Sequence, residues 1–100
     1  MSETSHDEES IDIPVQGFII KDPTSGWLCV EMQKSGEIFG TRMPVKITGM
    51  VDGLPFDATL LPSGNGHHMI PLRAALRKQL KKDQGDEVTI RLLKRIRKTK

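Results

Sequence analysis

Three groups of residues in this chain have the types and spacing for chemistry. The first is Gly64-Asn65-Gly66 with His68 and Arg73 just beyond it, and Arg42 as a further basic residue. Glycines let a loop turn its backbone N–H groups outward, and beside an imidazole and a guanidinium such a loop suits a small anion. The spacing lacks the Lys-Ser/Thr of a P-loop, so no nucleoside triphosphate site is implied. A Gly-rich turn between two strands explains the same residues with no ligand at all. The second group is His67-His68. Adjacent strand residues point to opposite faces, so the pair cannot chelate one ion unaided. With one cysteine in the chain there is no multi-cysteine site either, and neither a metal nor a cofactor is expected. Ser63, His68 and Asp57 can be drawn as a triad, but only geometry identifies one. No catalytic residue is assigned, and the chain reads as a non-enzyme. The third group is Arg73, Arg77 and Lys81, a stripe at helical spacing with Lys78 and Lys82 beside it. Such a stripe would contact the phosphates of nucleic acid; a solvated helix face is the plainer account.

These residues need elements to hold them, and the strongest signal for one lies in the middle of the chain. VKITGMVDGLPFDATLL, Val45–Leu61, has Asp52-Gly53 at its centre and alternates on both sides. Asp-Gly favours the type I′ turn of a two-residue hairpin. Folding there sets Val51 against Leu54, Gly49 against Phe56, Ile47 against Ala58 and Val45 against Leu60 on one apolar face. Met50/Pro55, Thr48/Asp57 and Lys46/Thr59 fall on the other. A slip of one residue would put the apolar set in water.

Either side of that hairpin the pattern continues. VQGFII, 15–20, and WLCVEM, 27–32, read as strands joined by a Pro-Thr-Ser-Gly turn. Leu28, Val30 and Met32 are expected in the core, with Trp27, Cys29 and Glu31 on the opposite face. Cys29 is a lone thiol with no basic neighbour in sequence, so it is expected to be inert. Residues 33–42 form a polar connection anchored by Ile38 and Phe39. His67–Ile70 is a short strand, and Pro71 opens a helix over 72–82 whose apolar stripe is Leu72, Ala75, Leu76 and Leu80. Gly85 follows its end, and 86–96 is the last strand. Domain limits follow: 1–12 a disordered acidic tail, 13–97 one β-barrel domain, 98–100 a basic tail.

Charge is divided along the chain. Residues 1–40 hold two basic side chains against eight acidic, a net −6; residues 71–100 hold eleven against three, a net +8. Weak, non-specific polyanion binding is compatible with the second block. The N-terminus is acidic and has no apolar h-region, and no run approaches the roughly 20 residues that span a bilayer. A cytoplasmic protein with no membrane partner is the expectation.

Gly40-Thr41-Arg42, Pro44-Val45, Asp52-Gly53, Pro55-Phe56, Leu60, Pro62, Gly64, Gly66, His68, Pro71 and Gly85-Asp86 with Val88 resemble the pattern of the bacterial domain-of-unknown-function family numbered nineteen-oh-five. Trp27 matches an upstream aromatic position. The resemblance covers residues 15–93 and departs at Asn65 for the usual Asp and at Asp57 for a usual basic residue. It implies a small β-barrel and no established activity. The block 69–92 also resembles the swapped-hairpin element of AbrB-like regulators, which are DNA-binding dimers. The fold expected is all-β: a small closed or rolled barrel of about six strands with one covering helix. The function expected is a non-enzymatic ligand-binding or interaction module, for an unidentified small ligand or protein. The alternative is a weak nucleic-acid-associated protein with the AbrB-like element.

Overall fold

In the computed structural model, which describes residues 8–64 and 66–97, strand β4 (Val45–Val51) turns into β5 (Leu54–Gly64) at Asp52-Gly53. The register is the one the alternation demands, from Val45 opposite Leu60 to Val51 opposite Leu54. Asp52 and Gly53 take φ of 49° and 88°, the two positive values that a type I′ turn needs. Pro55 pairs with Met50 on the outer face, next to the turn, where its missing N–H costs the ladder nothing.

Five further strands complete the sheet: β1 (Glu8–Phe18), β2 (Ile20–Lys21), β3 (Leu28–Met32), β6 (His67–Pro71) and β7 (Glu87–Ile96). Their order is β1-β7-β4-β5-β6-β3-β2, antiparallel throughout. The result is a curled seven-stranded half-barrel with two short helices, α1 (Ser35–Phe39) and α2 (Ala74–Leu80), rather than a barrel of about six strands and one helix. The extra strand comes from a corner. The chain breaks pairing at Ile19 and passes from one edge of the sheet to the other, so one expected strand becomes β1 and β2. Ile19 itself is 1% exposed; its N–H donates to Asp86 O at 2.9 Å and its carbonyl accepts from Gly85 N–H at 2.8 Å. The curl is helped by a bulge where Leu93 is the extra residue between the pairs Thr48–Lys94 and Gly49–Leu92. Gly49 is required there, because a Cβ would stand 2.1 Å from the Arg91 carbonyl oxygen.

Ile47, Val51, Leu60, Ile70, Val88, Ile90 and Leu92 fill the concave side, with Val30 and Met32 of β3 among them. Leu28 is half-buried against this cluster. Of the two expected anchors in the 33–42 connection, Phe39 is buried and Ile38 is exposed.

Two boundaries differ from expectation. Glu8–Asp12 belong to β1 and not to a disordered tail, because Asp12, Glu8 and Glu9 pair with Arg91 (2.6 Å), Lys94 (3.2 Å) and Arg97 (2.8 Å) of the last strand and its end. The rest of that tail, 1–7, and the basic tail 98–100 lie outside the described residues. Pro71 does not open the helix. It still belongs to β6, opposite Cys29, and Leu72 N–H continues the ladder to Leu28 O at 3.0 Å. Arg73 is extended, and α2 begins at Ala74. Its last turn closes on Lys81 in the left-handed region, φ 59°, before the chain reaches Gly85. No helix among the described residues is long and apolar enough to cross a membrane.

Candidate functional site

Alternation along β6 sends His68 and Ile70 to the concave side and His67, Met69 and Pro71 to the convex side. His68 is fully buried and every polar atom of its ring is used. Nε2 lies 2.9 Å from Met43 O, and Nδ1 lies 2.6 Å from Ser35 Oγ. A carbonyl only accepts, so Nε2 carries a proton, and in the neutral ring Nδ1 accepts from the Ser35 hydroxyl. Phe39 packs edge-on against the imidazole at 6.0 Å. Next to it, His67 Nδ1 accepts from Lys34 N–H at 3.0 Å, and Gly66 O accepts from Gly36 N–H at 2.8 Å. Arg95 donates to Phe39 O at 3.0 Å and its guanidinium lies 5.4 Å from the Phe39 ring centroid. This end of β6 is a clamp on the 33–43 connection. The histidine orders that connection, rather than the Gly64–Gly66 loop beside it.

The expected anion-site residues are therefore divided. Arg42, Gly64, Gly66 and His68 lie at the clamp, while Asn65 lies outside the described residues. Arg73 is at the other end of β6, five residues and roughly 16 Å from His68 at about 3.3 Å per strand residue. The partners of His68 are Ser35 and Met43, not Ser63 or Asp57. Ser35 carried no signal in the sequence, being one serine in a polar connection 33 residues from its partner. Among the described residues, no three His, Cys, Asp or Glu side chains gather as metal ligands.

At the Arg73 end the surface opens into a groove of about 600 Å³ lined by Trp27, Leu61, Pro71, Leu72, Arg73 and Arg77, among others. Trp27 is presented by a braced turn. The Asp22 carboxylate accepts from Ser25 N–H at 2.7 Å and from Ser25 Oγ–H at 2.9 Å, and Trp27 N–H donates to Ser25 Oγ at 3.1 Å. Those Ser25 bonds hold the Asp22 carboxyl below its ordinary range. Arg77 is fixed by Leu72 O (3.1 Å) and Asp83 (3.1 Å). Arg73 is exposed; its carbonyl accepts from Arg77 N–H at 3.0 Å, and its side chain makes no ion pair or hydrogen bond among the described residues. The groove thus offers an apolar floor, an indole wall and a guanidinium with its donors unspent. Cys29, next door on β3, is buried, and its thiol is pushed up to about 11, by burial first and then by Asp22 and Glu31. Such a thiol is a poor nucleophile near neutral pH.

The basic stripe is partly spent on the fold. Lys82 meets Asp52 at 2.6 Å and Glu87 O at 2.6 Å, and Arg77 meets Asp83. Arg73, Lys78 and Lys81 remain exposed. Nor is the AbrB-like element formed within the chain: β6 and β7, the strands flanking α2, are separated in the sheet by β4 and β5.

A family model described as Domain of unknown function (DUF1905) matches residues 16–92. Among curated proteins, no relative matches.

Proposed function

The chain belongs to the DUF1905 family, and from that premise we propose that it is a non-enzymatic binding module for a small amphipathic anion. The observation that carries this reading is the groove, where Arg73, without an ion pair among the described residues, stands beside Trp27, Leu61 and Pro71. An apolar cleft with a few placed polar groups is the usual form of a small-ligand site. A planar anion would lay its apolar body against the indole and give its charge to the guanidinium. The non-enzymatic part is supported by two buried residues, His68 and Cys29, of types that often act as base or nucleophile. His68 has both ring nitrogens committed to holding the 33–43 connection, and the Cys29 thiol stays protonated.

Trp27 is the only tryptophan and reports on the groove directly. Titration with anilinonaphthalene sulfonate should quench its emission and saturate. Arg73→Ala should weaken that binding about tenfold, the worth of one charge-assisted hydrogen bond. Unsaturable quenching, or equal affinity in the variant, would remove the groove from the proposal.

A second reading is weak polyanion binding, favoured by the exposed Arg73, Lys78 and Lys81. Three phosphate contacts on duplex DNA imply a slope of log affinity against log salt of about −3. A flat salt dependence would end that reading.

A further inference from the structure

The groove lies where the sheet opens beside β5. Pairing between β5 and β6 ends at Leu61 and Met69. At that register Thr59 would next face Pro71, which has no N–H to give a further rung. Pro71 is held on its other side by Cys29, and the stretch Leu54–Leu60 keeps β4 as its sheet partner. Alternation turns Leu61, Thr59 and Asp57 to one side of β5. That wall therefore runs from apolar to hydroxyl to carboxylate over about 13 Å at strand spacing. Leu61 and Thr59 line the large groove with Trp27, while Asp57 lines a second cleft of about 200 Å³ with Phe56 and Leu76. Pro71 and Arg73 line both, so Arg73 divides an indole side from a carboxylate side.

Arg73 and Asp57 are both exposed. Among the described residues neither makes an ion pair, with the other or with any third group, whereas Arg77 takes Asp83 and Asp52 takes Lys82. Two opposite charges thus line one cleft without neutralising each other. A plain anion drawn to Arg73 also meets the repulsion of Asp57. A molecule with a cation beside its anion turns that repulsion into attraction, and specificity of this kind comes as much from the penalty on the wrong ligand as from the bond to the right one. A free α-amino acid carries an ammonium and a carboxylate on one carbon. With a large apolar side chain it also has a body for the groove of about 600 Å³ beside Trp27.

We propose that the ligand is a zwitterion, a free α-amino acid with an aromatic or large aliphatic side chain. Its carboxylate bonds Arg73, its ammonium bonds Asp57 and its side chain lies against Trp27. The inference rests on the groove reading above and narrows the amphipathic anion to one that carries a cation as well.

Calorimetric titration of the full chain near neutral pH with phenylalanine, phenylpropionate and phenethylamine tests this. The three share a phenyl group and carry both charges, the anion alone and the cation alone. Phenylalanine should bind about tenfold more tightly than either of the others, the worth of one charge-assisted hydrogen bond. Asp57→Asn, an exposed change whose fold is checked by circular dichroism, should cost phenylalanine that advantage and leave phenylpropionate as tight or tighter. Arg73→Ala should weaken both. Phenylpropionate binding as tightly as phenylalanine, or phenylalanine binding indifferent to Asp57→Asn, would overturn the zwitterion while leaving the groove its anion. If neither molecule nor the sulfonate probe binds, the groove reading falls and the zwitterion with it.

Discussion

The two ends of β6 use similar residues to opposite effect. At the His68 end the imidazole, the Ser35 hydroxyl and the Met43 carbonyl satisfy one another in a space closed to water. At the Arg73 end a guanidinium stands over an apolar groove with its donors unspent. A buried polar group costs stability unless it is bonded, so a closed cluster survives only when every member has a partner, and then it has nothing left to offer a ligand. An exposed group is solvated at no cost and keeps its capacity. Residue type alone therefore does not tell the two ends apart: His68 is committed to the fold through both ring nitrogens, while Arg73 stands at the open end.

The sharpest break is expected where the closed part of the molecule has no room at all. Gly49→Ala would drive a methyl group into the Arg91 carbonyl and force β4 from β7. A loss of at least about 3 kcal/mol is expected, read from the denaturant midpoint. A loss under about 1 kcal/mol would mean the ladder yields there.

Next comes His68→Ala, which empties a buried volume and leaves Ser35 Oγ without its partner. About 2–4 kcal/mol should be lost, and amide exchange should quicken over residues 33–43 before the rest. Uniform exchange would show that the clamp is not local.

A smaller effect lies between closed and open. Burial opposes the charge on Asp52, but Lys82 at 2.6 Å and the Thr89 N–H at 2.9 Å outweigh it and hold the carboxyl below its ordinary value of 3.8. A depressed folded value stabilises above the unfolded one and is lost as pH falls through the folded one. Stability should therefore decline below about pH 4, by less than about 1 kcal/mol for so exposed a pair. Asp52→Asn should remove that part of the decline; an unchanged acid limb would place it elsewhere.

The least effect on stability belongs to Arg73→Ala, within about 0.5 kcal/mol, although it should cost probe affinity. If the midpoint moves by more than about 1 kcal/mol, Arg73 is part of the fold and the contrast between the ends of β6 fails.

Much of the architecture was determined by the sequence itself. Side chains alternate with a period of two, and a turn rich in positive φ demands Asp-Gly, so the β4–β5 register follows from residues no more than fifteen apart. The inward set Val30 and Met32 follows from the same alternation. Tertiary structure decided the rest, because its signals join residues with no local relation. Asp12 finds Arg91 79 positions away and turns an acidic tail into a strand. His68 takes Ser35 and Met43, 33 and 25 positions away, so neither spacing nor composition announces the clamp. Pro71 was legible as a helix opener, but pairing with Cys29 holds it in the sheet, since a ladder already formed is extended more readily than a new helix is nucleated. Gly49 reads in sequence as one small residue on an apolar face; only the close approach of Arg91 across the bulge explains why no side chain fits there.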